Sequence, residues 1–151
     1  MKIKVISVDH DKSKQFSDMI TDYSKRMPYK LEMIDLQPIM RPTAQQQQDK
    51  EGDMILKYLA IDDFMVAMDV SGKQMSSEEF AAVFADWQQR SIGKISFVIG
   101  GAFGLSQMIK TRANLTMSLS KMTFPHRLAK IILVEQIYRA YAIMHNHPYH
   151  K

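Results

Sequence analysis

Cysteine is absent from all 151 residues. Its absence excludes a disulfide framework and any thiolate metal site, and it fits a reducing cytoplasm better than an oxidising compartment. Long apolar runs are missing as well. No stretch approaches the roughly 20 residues needed to cross a bilayer, and the opening MKIKVISVDH lacks the apolar core of a secretory signal. The expectation is a soluble, cytoplasmic protein with no membrane partner. A large excess of one charge is also lacking, since 20 Lys and Arg face 16 Asp and Glu, a formal +4. That balance permits a polyanionic partner but is far from a histone-like excess, so charge alone supports RNA only weakly.

What is present suffices for one core. A chain of 151 residues, 46% of them hydrophobic, buries about 68–70% of its unfolded surface, so a single domain over residues 1–151 is expected. Glycine is scarce, six in all, yet three fall in SFVIGGAFGLS at residues 96–106. An apolar run that stops at Gly100 and Gly101, reaches Gly104 and restarts at Ser106 is a strand-to-helix turn. Such turns bind ligands in open α/β sheets. The spacing G-G-x-x-G is no phosphate-binding fingerprint, and by itself it fits a tight turn better than a ligand site.

Strand and helix patterns alternate along the chain. KIKVISV alternates and then becomes apolar, as a strand entering a sheet does. From Ser13, residues Phe16, Met19, Ile20 and Tyr23 share a helical face until MP at 27 and 28. YKLEMIDL is a second strand. QPIMRPTAQQQQDK, with two prolines and four consecutive glutamines, has the composition of a mobile surface loop. A helix with Met54, Ile55 and Leu59 inward follows, and DDFMVAMDV is a third strand. Ser76 and Glu79 have capping-box spacing ahead of Phe80, Val83, Phe84 and Trp87. KISFVIGG is a strand buried on both faces, a short helix runs from Ser106 to about Arg112, and ANLTMSLS alternates as a last strand. Pro125 opens a long helix that is apolar around most of its circumference. Two readings stay open for it: a central core helix, or a helix with one face on the sheet and the other on a second subunit. The second predicts a homodimer.

Four strings together, DVSGKQMSSEEFA, FVIGGAFGL, SLSKMTFPHRLAKIILVEQIYRAYAI and NHPYHK, resemble the RlmH family of SPOUT methyltransferases over essentially the whole chain. The resemblance implies a single-domain α/β fold with a parallel-rich sheet flanked by helices and a C-terminal trefoil knot. It implies methylation, with S-adenosyl-L-methionine, of N3 of a pseudouridine in large-subunit (23S) ribosomal RNA within the ribosome. The alternative is a non-catalytic ribosome- or RNA-binding protein that keeps the fold. A flavodoxin-like phosphate site is disfavoured because SVDHDKSK after the first strand is a poor anion loop.

The resemblance also implies roles for particular residues. Cofactor contacts fall to Met68, where many members of that family carry leucine, to Gly100, and to the segment Leu119, Ser120, Lys121, Met122, Thr123 and Phe124. Asp69 and Lys73 flank Gly72 as candidate ribose and phosphate contacts, against a plain solvated turn. His126 orients a loop or touches substrate. Arg127, Lys130 and Arg139 read as solvated helix residues that add basic surface. The acceptor nitrogen is a weakly acidic imide N–H that must lose its proton, so a base or anion-stabilising groups are needed. Tyr149 and His150, in a tail delivered by the neighbouring subunit, are the catalytic candidates, His150 as proton acceptor and Tyr149 as hydrogen-bond donor. The spacing of His145, His147 and His150 also invites a zinc reading, which the intervening proline disfavours. No metal is expected.

Overall fold

The computed structural model describes residues 1–10 and 13–151; Asp11 and Lys12, within the stretch weighed as an anion loop, lie outside the described residues. Five strands, β1 (Lys2–Val8), β2 (Lys30–Leu36), β3 (Phe64–Gln74), β4 (Lys94–Ile99) and β5 (Leu115–Ser118), form one sheet in the order β2-β1-β4-β3-β5. Every pairing is parallel. The helices are α1 (Lys14–Arg26), α2 (Ala44–Leu56), α3 (Ser77–Gln89), α4 (Gln107–Arg112) and α5 (His126–Met144). Among the described residues, no helix is long and apolar enough to cross a membrane.

The two-residue period of the central strands divides the core. Ile3 and Val5 of β1, Val66 of β3, and Ile95 and Phe97 of β4 face one side, where Phe80, Phe84 and Trp87 of α3 meet Leu133, Val134 and Ile137 of α5. Ile6 and Val8, Met65 and Ala67, and Val98 face the other side, against Ile55 of α2 and Ile109 of α4. Ser76 caps α3 with the full capping box expected from the sequence. Two cores, one on each face, are what an all-parallel sheet requires.

One expectation needs correction. The glutamine run is not a loop: α2 begins at Ala44 and includes all four glutamines, with Thr43 as N-cap accepting from the Gln46 N–H. The long helix α5 packs with α1 and α3 over the sheet and buries eight of its residues, while Leu128 stays exposed. Both readings of its greasiness, core helix and subunit contact, fit this arrangement.

Candidate active site

A looped-out segment within β3 and the loops at the carboxyl ends of β4 and β5 meet at one cavity. At the first, the ladder between β3 and β5 jumps: Met117 is opposite Met68 and again opposite Lys73. Residues 69–72 are thereby extruded as a bulge. Gly72 makes this possible, since a Cβ there would stand 2.6 Å from the backbone N and C of Met117. The D-x-x-G-K spacing thus has a geometric reason.

The second loop follows β4. A Cβ on Gly100 would lie 2.5 Å from the carbonyl carbon of Gly104, the Gly104 N–H donates to the Gly101 carbonyl at 3.0 Å, and Gly104 has φ +78°. Close approach at Gly100 and a left-handed backbone at Gly104 close a turn that larger residues would open. Ser106 then caps α4 through the Ile109 N–H. The third loop follows β5. Its backbone is tied by the Ser118 hydroxyl donating to the Ser120 carbonyl (2.8 Å) and by the Met122 N–H donating to Ser120 Oγ (3.0 Å).

The cavity between these loops has a volume of about 330 Å³, within the range of small-molecule sites, about 300–1,000 Å³. Met68, Gly100, Leu119, Ser120, Met122, Thr123 and Phe124 line it; Lys121 is exposed and does not. The sequence reading missed Val70, Ile99, Ala102, Phe103, Met117, Ser118 and Ala129, which also line the cavity. Ile99 ends β4 and Met117 is the last but one residue of β5, so the ends of strands already identified were the available signal for both. Val70 and Phe103 are exposed apolar residues on the rim.

The charged candidates separate. Asp69 lines the cavity, accepts from the Ser71 N–H (3.1 Å) and hydroxyl, and pairs with Lys110 at 3.1 Å. Burial pushes its carboxyl up, but the hydrogen bonds from Ser71 and Lys110 prevail and hold it below the ordinary aspartate value. Lys73 is exposed. His126 lines the cavity from the first turn of α5.

Of the three presumed basic-surface residues, only Arg127 is exposed, with its guanidinium 5.6 Å from the Phe16 ring centre. Lys130 is 4% exposed and bridges Asp9 (3.2 Å) and Asp35 (2.8 Å). Arg139 is half-buried and pairs with Glu135. Lys130 and Arg139 hold partners in their own chain, as buried cations must.

Tyr149 and His150 come together, but on the α1–α5–α3 face and not in the cavity lining. The Tyr149 hydroxyl donates to Glu135 at 2.9 Å and lies 3.3 Å from the Tyr23 hydroxyl. Its ring sits edge-on to Tyr138 at 4.7 Å, with Arg139 4.8 Å from the ring centre. Burial and the Tyr23 and Glu135 contacts push the phenol well above its ordinary value, which keeps it a donor. His150 Nε2 is 2.9 Å from Glu78, and Nδ1 is 3.2 Å from Arg139. Among the described residues no group of three or more His, Asp or Glu is arranged to hold a metal.

A family described as "Predicted SPOUT methyltransferase" matches residues 1–150. Ribosomal RNA large subunit methyltransferase H of Acholeplasma laidlawii is 42% identical over 151 residues, covering all of both chains. The protein of the same name from Streptococcus suis is also 42% identical over 159 aligned positions, again covering both chains completely. Among solved structures, the SpoU methyltransferase AviRb of Streptomyces viridochromogenes, in complex with AdoMet, aligns with 93% of this chain and 57% of that one. The TM-score is 0.46 and the identity 11%, too low to bear on the assignment. Full-length identity above 40% and a family match from end to end place the chain among the SPOUT methyltransferases, in the family of ribosomal RNA large subunit methyltransferase H.

Proposed function

We propose that this protein, as a cytoplasmic homodimer, transfers a methyl group from S-adenosylmethionine to N3 of a pseudouridine in large-subunit (23S) ribosomal RNA within the ribosome. The observation that carries this reading is the three-loop cavity, whose walls depend on glycine at residues 72 and 100, in a chain aligned end to end with ribosomal RNA methyltransferases. The residues present suit the cofactor. Met68, Ile99, Leu119 and Phe124 offer an apolar slot for adenine, the loops after β4 and β5 offer backbone groups to its polar edge, and Asp69 offers a carboxylate to a ribose hydroxyl or a cationic group. When bound, S-adenosylmethionine supplies an electrophilic methyl on a sulfonium.

The protein's own residues then orient the base and remove its proton. His150 accepts the N3 proton and Tyr149 donates to a carbonyl of the base. In one chain both are held by Glu78, Arg139, Glu135 and Tyr23, so we assign their catalytic use to a tail that enters the cavity of the partner subunit. Exposed Val70, Phe103, Met108, Met122 and Leu128 provide apolar surface for that partner. The trefoil knot belongs to the same proposal.

Calorimetry with S-adenosylmethionine and methyl transfer to ribosomes lacking the modification, from pH 6 to 9, test it. Saturable heat and transfer are expected. Deletion of Tyr149 to Lys151 leaves cofactor affinity intact and abolishes turnover, and His150→Ala costs on the order of 10²–10⁴-fold in rate. Undiminished turnover in the truncated protein overturns the assignment of the tail, and absence of cofactor heat in wild type overturns the function.

A further inference from the structure

A polar helix stands behind the glycine loop. The buried face of α2 carries Gln47 at 3% exposure and Glu51 at 2%, with Gly52 and Ile55 beside them. Removing a carboxyl group from water is costly, and a leucine would fill the same place without that cost. One oxygen, Oε1, is used: it accepts from Gln47 Nε2 at 3.0 Å and from the Ile39 N–H at 3.3 Å. The other, Oε2, is buried and has no hydrogen-bond partner among the described residues. It lies against the loop that walls the cavity, 2.7 Å from where a Cβ on Gly101 would be.

The same helix touches that loop twice more. Gln48 Nε2 donates to the Phe103 carbonyl. Gly52 leaves room for Ser106, whose Oγ would be 2.6 Å from a Cβ on residue 52, and Ser106 caps α4. Three residues of α2 thus bear on the loop at its start, tip and end. Gly101 and Phe103 line the cavity while their other sides meet α2.

We propose that Glu51, with Gln48, is a positioning residue for the methyl-donor site: it presets the loop from Gly101 to Ser106 from behind and so sets cofactor affinity without touching the reacting atoms. A loop held in its binding shape before the ligand arrives loses less freedom on binding, and that saving appears as affinity. The inference rests on the methyl-donor reading of the cavity.

The test combines cofactor calorimetry, methyl-transfer kinetics and amide hydrogen exchange of residues 100–106 on the full-length protein. In Glu51→Ala, the Kd and KM for S-adenosylmethionine rise by about tenfold or more, since two donors lose their acceptor and the loop its backing. Exchange in the loop accelerates, while kcat at saturating cofactor stays within about threefold. Glu51→Gln, which keeps an acceptor for Gln47 and Ile39, recovers most of the affinity. Gln48→Ala removes one contact at the edge of the helix, so it folds even where Glu51→Ala does not, and it shows a smaller rise in Kd with the same faster exchange.

Wild-type affinity and loop exchange in both alanine variants overturn the proposal, as does a collapse of kcat at unchanged Kd. A fall in melting temperature without a change in Kd also overturns it, because that is the signature of a merely structural role. If wild type itself takes up no cofactor, the function of the cavity is what fails, and the calorimetric control shows this before any variant is compared.

Discussion

At Gly100 a methyl group would stand 2.5 Å from a neighbouring carbonyl carbon, and the obstacle is backbone, which cannot swing aside as a side chain can. Gly100→Ala should therefore reshape the cavity wall. The expected result is loss of cofactor binding by more than about tenfold together with destabilisation of about 1–3 kcal/mol, measured by calorimetry and urea unfolding. This position was legible in the sequence because an apolar strand ending on two glycines signals a turn before any fold is known. Lys130 was not. It sits among apolar residues of α5, and its partners Asp9 and Asp35 lie 121 and 95 residues away in the chain, beyond the reach of any local pattern. Lys130→Met leaves Asp9 beside Asp35 without their cation. Asp35 remains partly open to water, so unfolding free energy should fall by about 3 kcal/mol, the lower end for breaking a buried pair.

Among the elements, the first half of α2 escaped the sequence reading for a physical reason. Helix periodicity is recognised by apolar residues at three- and four-residue spacing, but the first buried positions of α2 are Gln47 and Glu51. Its polar inner face looks like a loop. The glutamines themselves are good helix formers, and Thr43 supplies the cap. The strands were legible because their buried sides alternate apolar residues. What alternation could not show was how β3 is pinned at its start. Asp63 is buried and takes Lys4 of β1 at 2.9 Å, Ser96 of β4 at 3.0 Å and the Ala60 N–H at 3.2 Å. Burial pushes its carboxyl up, yet these three hydrogen bonds prevail and hold it below the ordinary aspartate value. A folded-state value below the unfolded one means that the contribution is complete above the unfolded pKa, about 3.9, and is lost as pH falls through the folded pKa. Unfolding free energy followed by urea titration should thus decline below about pH 4. In Asp63→Asn the protein should be less stable at neutral pH and show a shallower acid slope over the same interval.

For the molecule as a whole, the proposed function requires that a tail anchored on one face reach a cavity on another. Tyr149 and His150 are tied to Glu135, Tyr23, Glu78 and Arg139 of their own chain, and none of these six residues lines the cavity. A subunit acting alone would have to break those bonds and carry the tail round to its own cofactor. In a symmetric dimer the tail of one subunit can face the cavity of the other, so that only the Tyr149 and His150 side chains exchange their partners for the base, and each site is then composite. This arrangement makes a prediction that a self-contained site does not. A Gly100→Ala subunit keeps its tail but loses the cofactor, and a subunit lacking Tyr149 to Lys151 keeps the cofactor but loses the tail. Each variant alone should be inactive on ribosomes lacking the modification. Mixed and allowed to exchange subunits, they form heterodimers in which one of the two sites has both parts, so activity should return to about a quarter of wild type at equal ratios. Light scattering on the same samples checks that the particles have twice the mass of one chain. Recovery of transfer only on mixing places the tail in the partner's site. No recovery, in samples shown to be dimeric and exchanging, puts cofactor and tail on the same subunit.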